Sequence, residues 1–361
     1  MKVIHVVGAR PNFVKMAPVY AACARRGITQ LVVHTGQHYD PNMSEVFFRQ
    51  FQLPAPDFNL NVGSASHAAQ TAAVMVGIEK IQRRHPADWV LVYGDVNSTL
   101  AAALVCAKQH QPLAHVEAGL RSGDRQMPEE INRIVTDQVA DLLLTPSADA
   151  NANLLREGVP ARRIHLVGNV MIDTLLRFMP LIDAADRSPY PPQYGLVTLH
   201  RPANVDEDRA LGHCLESLGN ISRSIPLLFP VHPRTRKRIA GLARPTPRPA
   251  LHFTEPMNYI DFLGLVKRAA FVITDSGGLQ EETTCLGVPC LTLRTTTERP
   301  ITIELGTNLL LGNDLARLEQ AVAAILAGNA KRGRIPPLWD GQTAARIVEV
   351  LLGERRHSQQ P

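Results

Sequence analysis

The chain has 361 residues, 45% of them apolar and 20% charged, with a formal net charge of +5. That length holds two domains of ordinary size, and the balance of apolar and charged residues is that of a globular chain, not a disordered or fibrous one. Arginine far exceeds lysine and suits phosphate, but the charge is scattered and only 5% of residues are aromatic, so a nucleic-acid partner is excluded in favour of a small anionic substrate.

The first half reads as strands at 2–7, 30–35, 89–93, 113–116, 142–144 and 164–167, and the second half at 195–199, 227–231, 251–253, 271–274, 290–293 and 308–311. Many are continuously apolar, as expected of parallel strands buried on both faces. Helical stretches such as 96–109 and 128–142 lie between them. Alternating strand–helix units of this kind predict doubly wound parallel sheets, an α/β protein. The proline-rich run Arg187-Ser188-Pro189-Tyr190-Pro191-Pro192 cannot continue a helix, and the pattern restarts after it. Two similar halves are therefore expected, with boundaries near 1–169 and 170–341. A helix over 342–352 and a frayed polar tail to residue 361 complete the chain.

No apolar run reaches the length of a membrane span, and the strand-like start Lys2-Val3-Ile4-His5-Val6-Val7 has none of the features of a signal peptide. The expected location is the cytoplasm, with no membrane partner. The five cysteines (Cys23, Cys106, Cys214, Cys285 and Cys290) form no CxxC pair. A reduced compartment and no structural zinc or other metal follow.

Several apolar strands end in a polar residue. VLVYG leads to Asp95, LAHV to Glu117, LVTL to His200, LLFPV to His232, and FVITD to Ser276-Gly277-Gly278. Ligands of parallel sheets bind outside the carboxyl ends of strands, so each half presents reactive groups at its own carboxyl edge, and a cleft between the halves is expected. Each residue alone has a plainer reading. Asp95 suits a helix cap, and His200 or His232 suits a structural histidine. The Ser276-Gly277-Gly278 loop opens a helix whose N–H groups suit phosphate, and Glu282 lies about one turn further on. Glu129 and Glu130 follow Pro128 at a predicted helix start, where carboxylates are favourable in any case. Arg10 and Lys15 follow the first strand. A GxGxxG fingerprint would belong there, but Gly8-Ala9-Arg10-Pro11-Asn12 has a single glycine, and neither that motif nor GxxxxGK[ST] occurs elsewhere.

At these residues the chain resembles the non-hydrolysing UDP-N-acetylglucosamine 2-epimerases. The matching segments are GARPNFVKMAP (8–18), TGQHYD (35–40), GDVNST (94–99), HVEAGLRSGD (115–124), MPEEINR (127–133), GNVMIDTL (168–175), TLHRPANVD (198–206), PVHPRT (230–235), TDSGGLQEE (274–282) and TTERP (296–300). They span nearly the whole chain. The resemblance implies a GT-B fold, with two Rossmann-like domains and a C-terminal helix crossing back to the first. It also implies a homodimer and no added cofactor. It places Asp95, Glu117, Glu129 and His200 in the catalytic group. Arg10, His232, Ser276, Gly277 and Gly278 fall near the diphosphate, Glu282 at the ribose and Arg299 in the same pocket. Lys15, like Arg10, is placed by the residue pattern to reach the cleft as a substrate-binding cation, its plainer reading being ordinary helix charge. Three segments depart from many bacterial members: GARPN, His200-Arg201-Pro202-Ala203-Asn204, and Gln37-His38-Tyr39-Asp40, where activated enzymes carry a QHR-type run. The first two leave room for a modified sugar such as UDP-2,3-diacetamido-2,3-dideoxyglucuronic acid. The third predicts weak substrate activation. A GT-B glycosyltransferase is the rival reading, but it has less need of Asp95, Glu117 and Glu129 together.

Overall fold

The computed structural model describes residues 1–37, 48, 50–184, 190–242 and 250–358. The expectations for His38, Tyr39 and Asp40, and for Arg187, Ser188 and Pro189, concern positions outside these. The chain forms two compact units, one made of Met1–Leu176 with Pro337–Pro361 and the other of Arg177–Pro336.

The first unit holds β1 (Lys2–Val7), β2 (Thr29–His34), β3 (Phe58–Asn59), β4 (Trp89–Tyr93), β5 (Leu113–Val116), β6 (Leu142–Thr145) and β7 (Ile164–Leu166). They form one sheet in the order β3-β2-β1-β4-β5-β6-β7, with every pair parallel. Val3, Val6, Val90, Val92, Leu113 and Leu143 are buried in it, which accounts for their continuously apolar runs. Winding reverses between β1 and β4, and the crevice at such a switch point is where doubly wound sheets bind ligands.

The second unit holds β8 (Gly195–Thr198), β9 (Leu227–Pro230), β10 (Leu251–Thr254), β11 (Phe271–Thr274), β12 (Cys290–Thr292) and β13 (Asn308–Leu310). Their order is β10-β9-β8-β11-β12-β13, again parallel throughout, with the switch between β8 and β11. Gly195 is required by packing, because a Cβ there would lie 2.4 Å from the Phe271 ring. Two Rossmann-like sheets of this kind are the α/β architecture of the GT-B class.

Three local expectations are corrected. The helix from Pro128 stops at Val139, because Leu142 already begins β6. The last helix runs Thr343–Ser358, beyond the predicted end. The two-residue β3 was not foreseen, being too short to show a period. Among the described residues, no helix is long and apolar enough to cross a membrane, and no cluster of His, Cys, Asp and Glu could hold a metal ion.

Candidate active site

In the first unit, the polar residues cluster where β1, β4 and β5 end. Asn12, in the first turn of the helix Arg10–Arg25, ties two of these ends together. Its Oδ1 accepts the N–H groups of Gly8 and Ala9, both at 3.0 Å, and its Nδ2 donates to the Tyr93 carbonyl at 2.7 Å. A glutamate could not make the last bond, because an ionised carboxylate only accepts. Asn12 is thus a backbone clamp. Arg10 lies exposed at the same helix start.

Glu117 directly follows β5 in the left-handed region, at φ 72°. A non-glycine residue held there is strained, and strain of this kind gathers at functional sites. Its carboxylate pairs with Lys15, and both side chains are buried. Breaking one half of a buried pair leaves an uncompensated charge. Gly94 adopts φ +63°, and a Cβ there would come within 2.7 Å of Lys15 Nζ and 3.1 Å of Glu117 Oε2. The left-handed backbone favours glycine there, and a side chain would crowd the pair.

Asp95 is half-buried and pairs with Arg133, which is itself buried. Arg133 also grips Glu130 at 2.6 Å. Burial alone would raise the Glu130 carboxyl, but the N–H groups of Ser122 and Gly123 and the Arg133 guanidinium hold it below its usual range. Glu130 is therefore committed to the scaffold. Glu129, in the same first turn, is half-buried and makes no hydrogen bond or ion pair among the described residues. Asn132 Nδ2 donates to the Asp95 carbonyl at 2.8 Å and to Asn97 Oδ1 at 3.2 Å. Gln37 Oε1 accepts Ser98 Oγ at 2.8 Å, and so continues this polar floor.

In the second unit, Asp275 follows β11 and is fully buried. Its oxygens accept the N–H groups of His200 at 3.1 Å and Arg201 at 3.0 Å, and Asn204 Nδ2 at 2.9 Å. His200 Nδ1 lies 2.8 Å from Asp275 Oδ1, while the imidazole remains 59% exposed. Burial would raise the Asp275 carboxyl, but His200 and these donors outweigh it and hold it below the ordinary value. An ionised aspartate on Nδ1 fixes the ring and leaves Nε2 directed away from the carboxylate, an arrangement suited to proton transfer.

Ser276 is the N-cap of the helix Gly277–Leu286, whose first N–H groups lack partners within the helix and favour anions. Gly277 and Gly278 are its first two residues. A Cβ at Gly277 would sit 2.6 Å from Arg299 Nη1, so glycine leaves room for that guanidinium. Arg299 is buried and paired with Glu281 at 2.9 Å and Glu298 at 3.3 Å. Glu298 also takes both arms of Arg294, at 2.9 and 2.6 Å. Glu282 is buried too, and accepts the Tyr259 hydroxyl at 2.7 Å. Burial pushes its carboxyl up to about 7. His232 is exposed immediately before the helix Pro233–Gly241.

Within the first unit the structure pairs Glu117 with Lys15 and Asp95 with Arg133 at the ends of adjacent strands. Within the second it gathers Ser276, Gly277, Gly278 and Arg299. Sequence reasoning missed the partners: Arg133 beneath Asp95, Asp275 beneath His200, Tyr259 on Glu282, and Glu298 among its arginines. Asp275 did stand in a recognised loop, and its position directly after an apolar strand was a usable signal. Tyr259 carried none.

Two Rossmann-like units, with carboxylates at the strand ends of the first and a glycine–arginine loop in the second, define a protein of the GT-B fold class. Residues 21–352 match the family profile described as UDP-N-acetylglucosamine 2-epimerase. The chain is 40% identical to the UDP-N-acetylglucosamine 2-epimerase of Methanocaldococcus jannaschii, over 97% of this chain and 99% of that one. It is 38% identical to the UDP-2,3-diacetamido-2,3-dideoxy-D-glucuronate 2-epimerase of Pseudomonas aeruginosa, again over 97% and 99%. The crystal structure of the Methanocaldococcus jannaschii UDP-GlcNAc 2-epimerase in complex with UDP-GlcNAc and UDP superposes with a TM-score of 0.90 at 39% identity, covering 98% of this chain and 100% of that one. The chain belongs to the UDP-N-acetylglucosamine 2-epimerase family.

Proposed function

We propose that this enzyme interconverts UDP-N-acetylglucosamine and UDP-N-acetylmannosamine. The observation that carries the reading is the pairing of Asp95 and Glu117 on adjacent strand ends, each matched to its own cation. The hydrogen on C2 of the sugar is not acidic in the ground state. Departure of UDP from C1 gives that carbon positive character and acidifies the neighbouring C–H. A carboxylate of the first unit takes the C2 proton, the C1–O bond breaks with its electron pair leaving on UDP, and 2-acetamidoglucal forms. Protonation of C2 from the opposite face and return of UDP to C1 complete the inversion.

In this reading the Ser276-Gly277-Gly278 helix start, Arg299, Arg10 and His232 stabilise the diphosphate, and Glu282 meets the ribose. Lys15 positions Glu117. Asp95, Glu117, Glu129 and His200 supply the acid and base. The enzyme works as a homodimer in the cytoplasm and serves cell-envelope polysaccharide synthesis. A second substrate, the UDP-diacetamido-dideoxyglucuronate, is favoured by the near-equal identity to the Pseudomonas enzyme, and the same C2 chemistry would act on it.

Incubating the pure protein with each UDP-sugar and following the sugar by NMR tests the proposal. The manno epimer should form from UDP-N-acetylglucosamine with the UDP linkage retained. Release of free N-acetylmannosamine, or inversion of the diacetamido sugar alone, would overturn the primary reading.

A further inference from the structure

His115 and Asp137 are both fully buried and lie outside every role assigned so far. His115 is on β5, and Asp137 is on the helix Pro128–Val139. His115 Nδ1 is 2.6 Å from Asp137 Oδ1, and Nε2 is 2.8 Å from the Gly94 carbonyl oxygen. Asp137 Oδ2 accepts the Gly119 N–H at 3.0 Å and Arg121 Nη1 at 2.7 Å. A carbonyl oxygen only accepts, so Nε2 donates to Gly94. Across the 2.6 Å contact His115 Nδ1 and Asp137 Oδ1 share one hydrogen bond, while Oδ2 already holds two donors.

The two ends of this pair reach the two turns of the carboxylate site. Gly94 precedes Asp95, and Gly119 stands two residues after Glu117. All three turn residues with left-handed backbone, Gly94 at φ +63°, Glu117 at φ 72° and Gly119 at φ +82°, lie within its reach or next to it. We propose that His115 and Asp137 are positioning residues that lock the Asp95 turn and the Glu117 turn to one another, and so set the spacing of the two acid–base groups. Neither touches substrate. The proposal rests on the epimerase reading for its kinetic consequence, though not for its geometry.

Three proteins test it: His115→Gln, which can still donate to Gly94 but not to Asp137; Asp137→Asn, which removes the charge; and the double variant. For epimerisation, each single change should lower kcat about 100-fold while KM and UDP affinity stay within about threefold, and the double variant should be no worse than the weaker single. Wild-type kcat in the folded single variants overturns the proposal. So does a double loss equal to the product of the single losses, or a loss that merely tracks the fraction of protein able to bind UDP.

If Asp137→Asn does not fold, His115→Gln and nitrogen NMR of the wild-type ring decide. Nε2 should carry a proton at neutral pH, as its bond to the Gly94 carbonyl requires, and an unprotonated Nε2 overturns the link. Failure of the epimerase reading is separately visible as an inactive wild type. In that case the backbone resonances of Gly94–Asp95 and Glu117–Gly119 still report on the link. Both sets should shift in His115→Gln, and movement of only one set overturns it.

Discussion

Glu282 is 5% exposed, and its carboxyl is pushed from an ordinary 4.5 to about 7, chiefly by burial. In the unfolded chain the group ionises above about 4.5, whereas the native protein keeps its proton up to about 7. Between those values the native state binds more protons, so its stability from this group falls as pH rises and is lost above about 7. Glu282→Gln places a neutral group there. Its melting temperature, relative to wild type, should rise steadily from about pH 5 to about pH 8. Parallel melting curves for the two proteins across that range would contradict the burial account. The carboxylate was visible in the sequence from its place in TDSGGLQEE. Its Tyr259 partner was not, because the two are 23 residues apart and only folding joins them. The same holds for Asp95 with Arg133: the strand end announced the carboxylate, while Arg133 looked like an ordinary helix charge. Lys15 was expected at the substrate, and its pairing with Glu117 was not foreseen.

Helices and strands differ in how openly they declared themselves. Twelve of the strands were placed from short apolar, β-branched runs, and the central ones are buried on both faces while β7 and β10 are partly exposed. The end of the helix at Val139 was hidden, because Ala140 and Leu142 extend the apolar run and no glycine or proline interrupts it. The helix Thr343–Ser358 has a concealed cap. Asp173, on the helix Val170–Ala184, accepts the N–H groups of Thr343 at 3.1 Å and Ala344 at 2.7 Å. A capping carboxylate 170 residues away leaves no local signature. Removing it with Asp173→Ala should cost about 1 kcal/mol of local stability. Hydrogen exchange of the amides in 343–358 should then quicken several-fold while that of β1 and β4 stays unchanged. Unaltered exchange in that helix would show that packing against the helix Arg10–Arg25 holds it without the cap.

At the scale of the whole chain, residues 337–361 return to the first unit, so neither unit is a simple half of the sequence. The proline-rich connector suggested a division but gave no sign of this return, which only the family resemblance implied and which depends on contacts such as Trp339 Nε1 donating to the Pro146 carbonyl at 3.0 Å. The broader chemistry was more legible. A first βα turn with one glycine, where a dinucleotide fingerprint would stand, directs attention from transient oxidation to elimination, and the carboxylates at strand ends are the groups proposed for the proton transfers. The most direct measurement runs the reaction in heavy water with no NAD added. Both the product and the recovered UDP-N-acetylglucosamine should acquire deuterium at C2, because the proton removed there exchanges before another is delivered. Inversion with the original hydrogen still at C2 would contradict the elimination route.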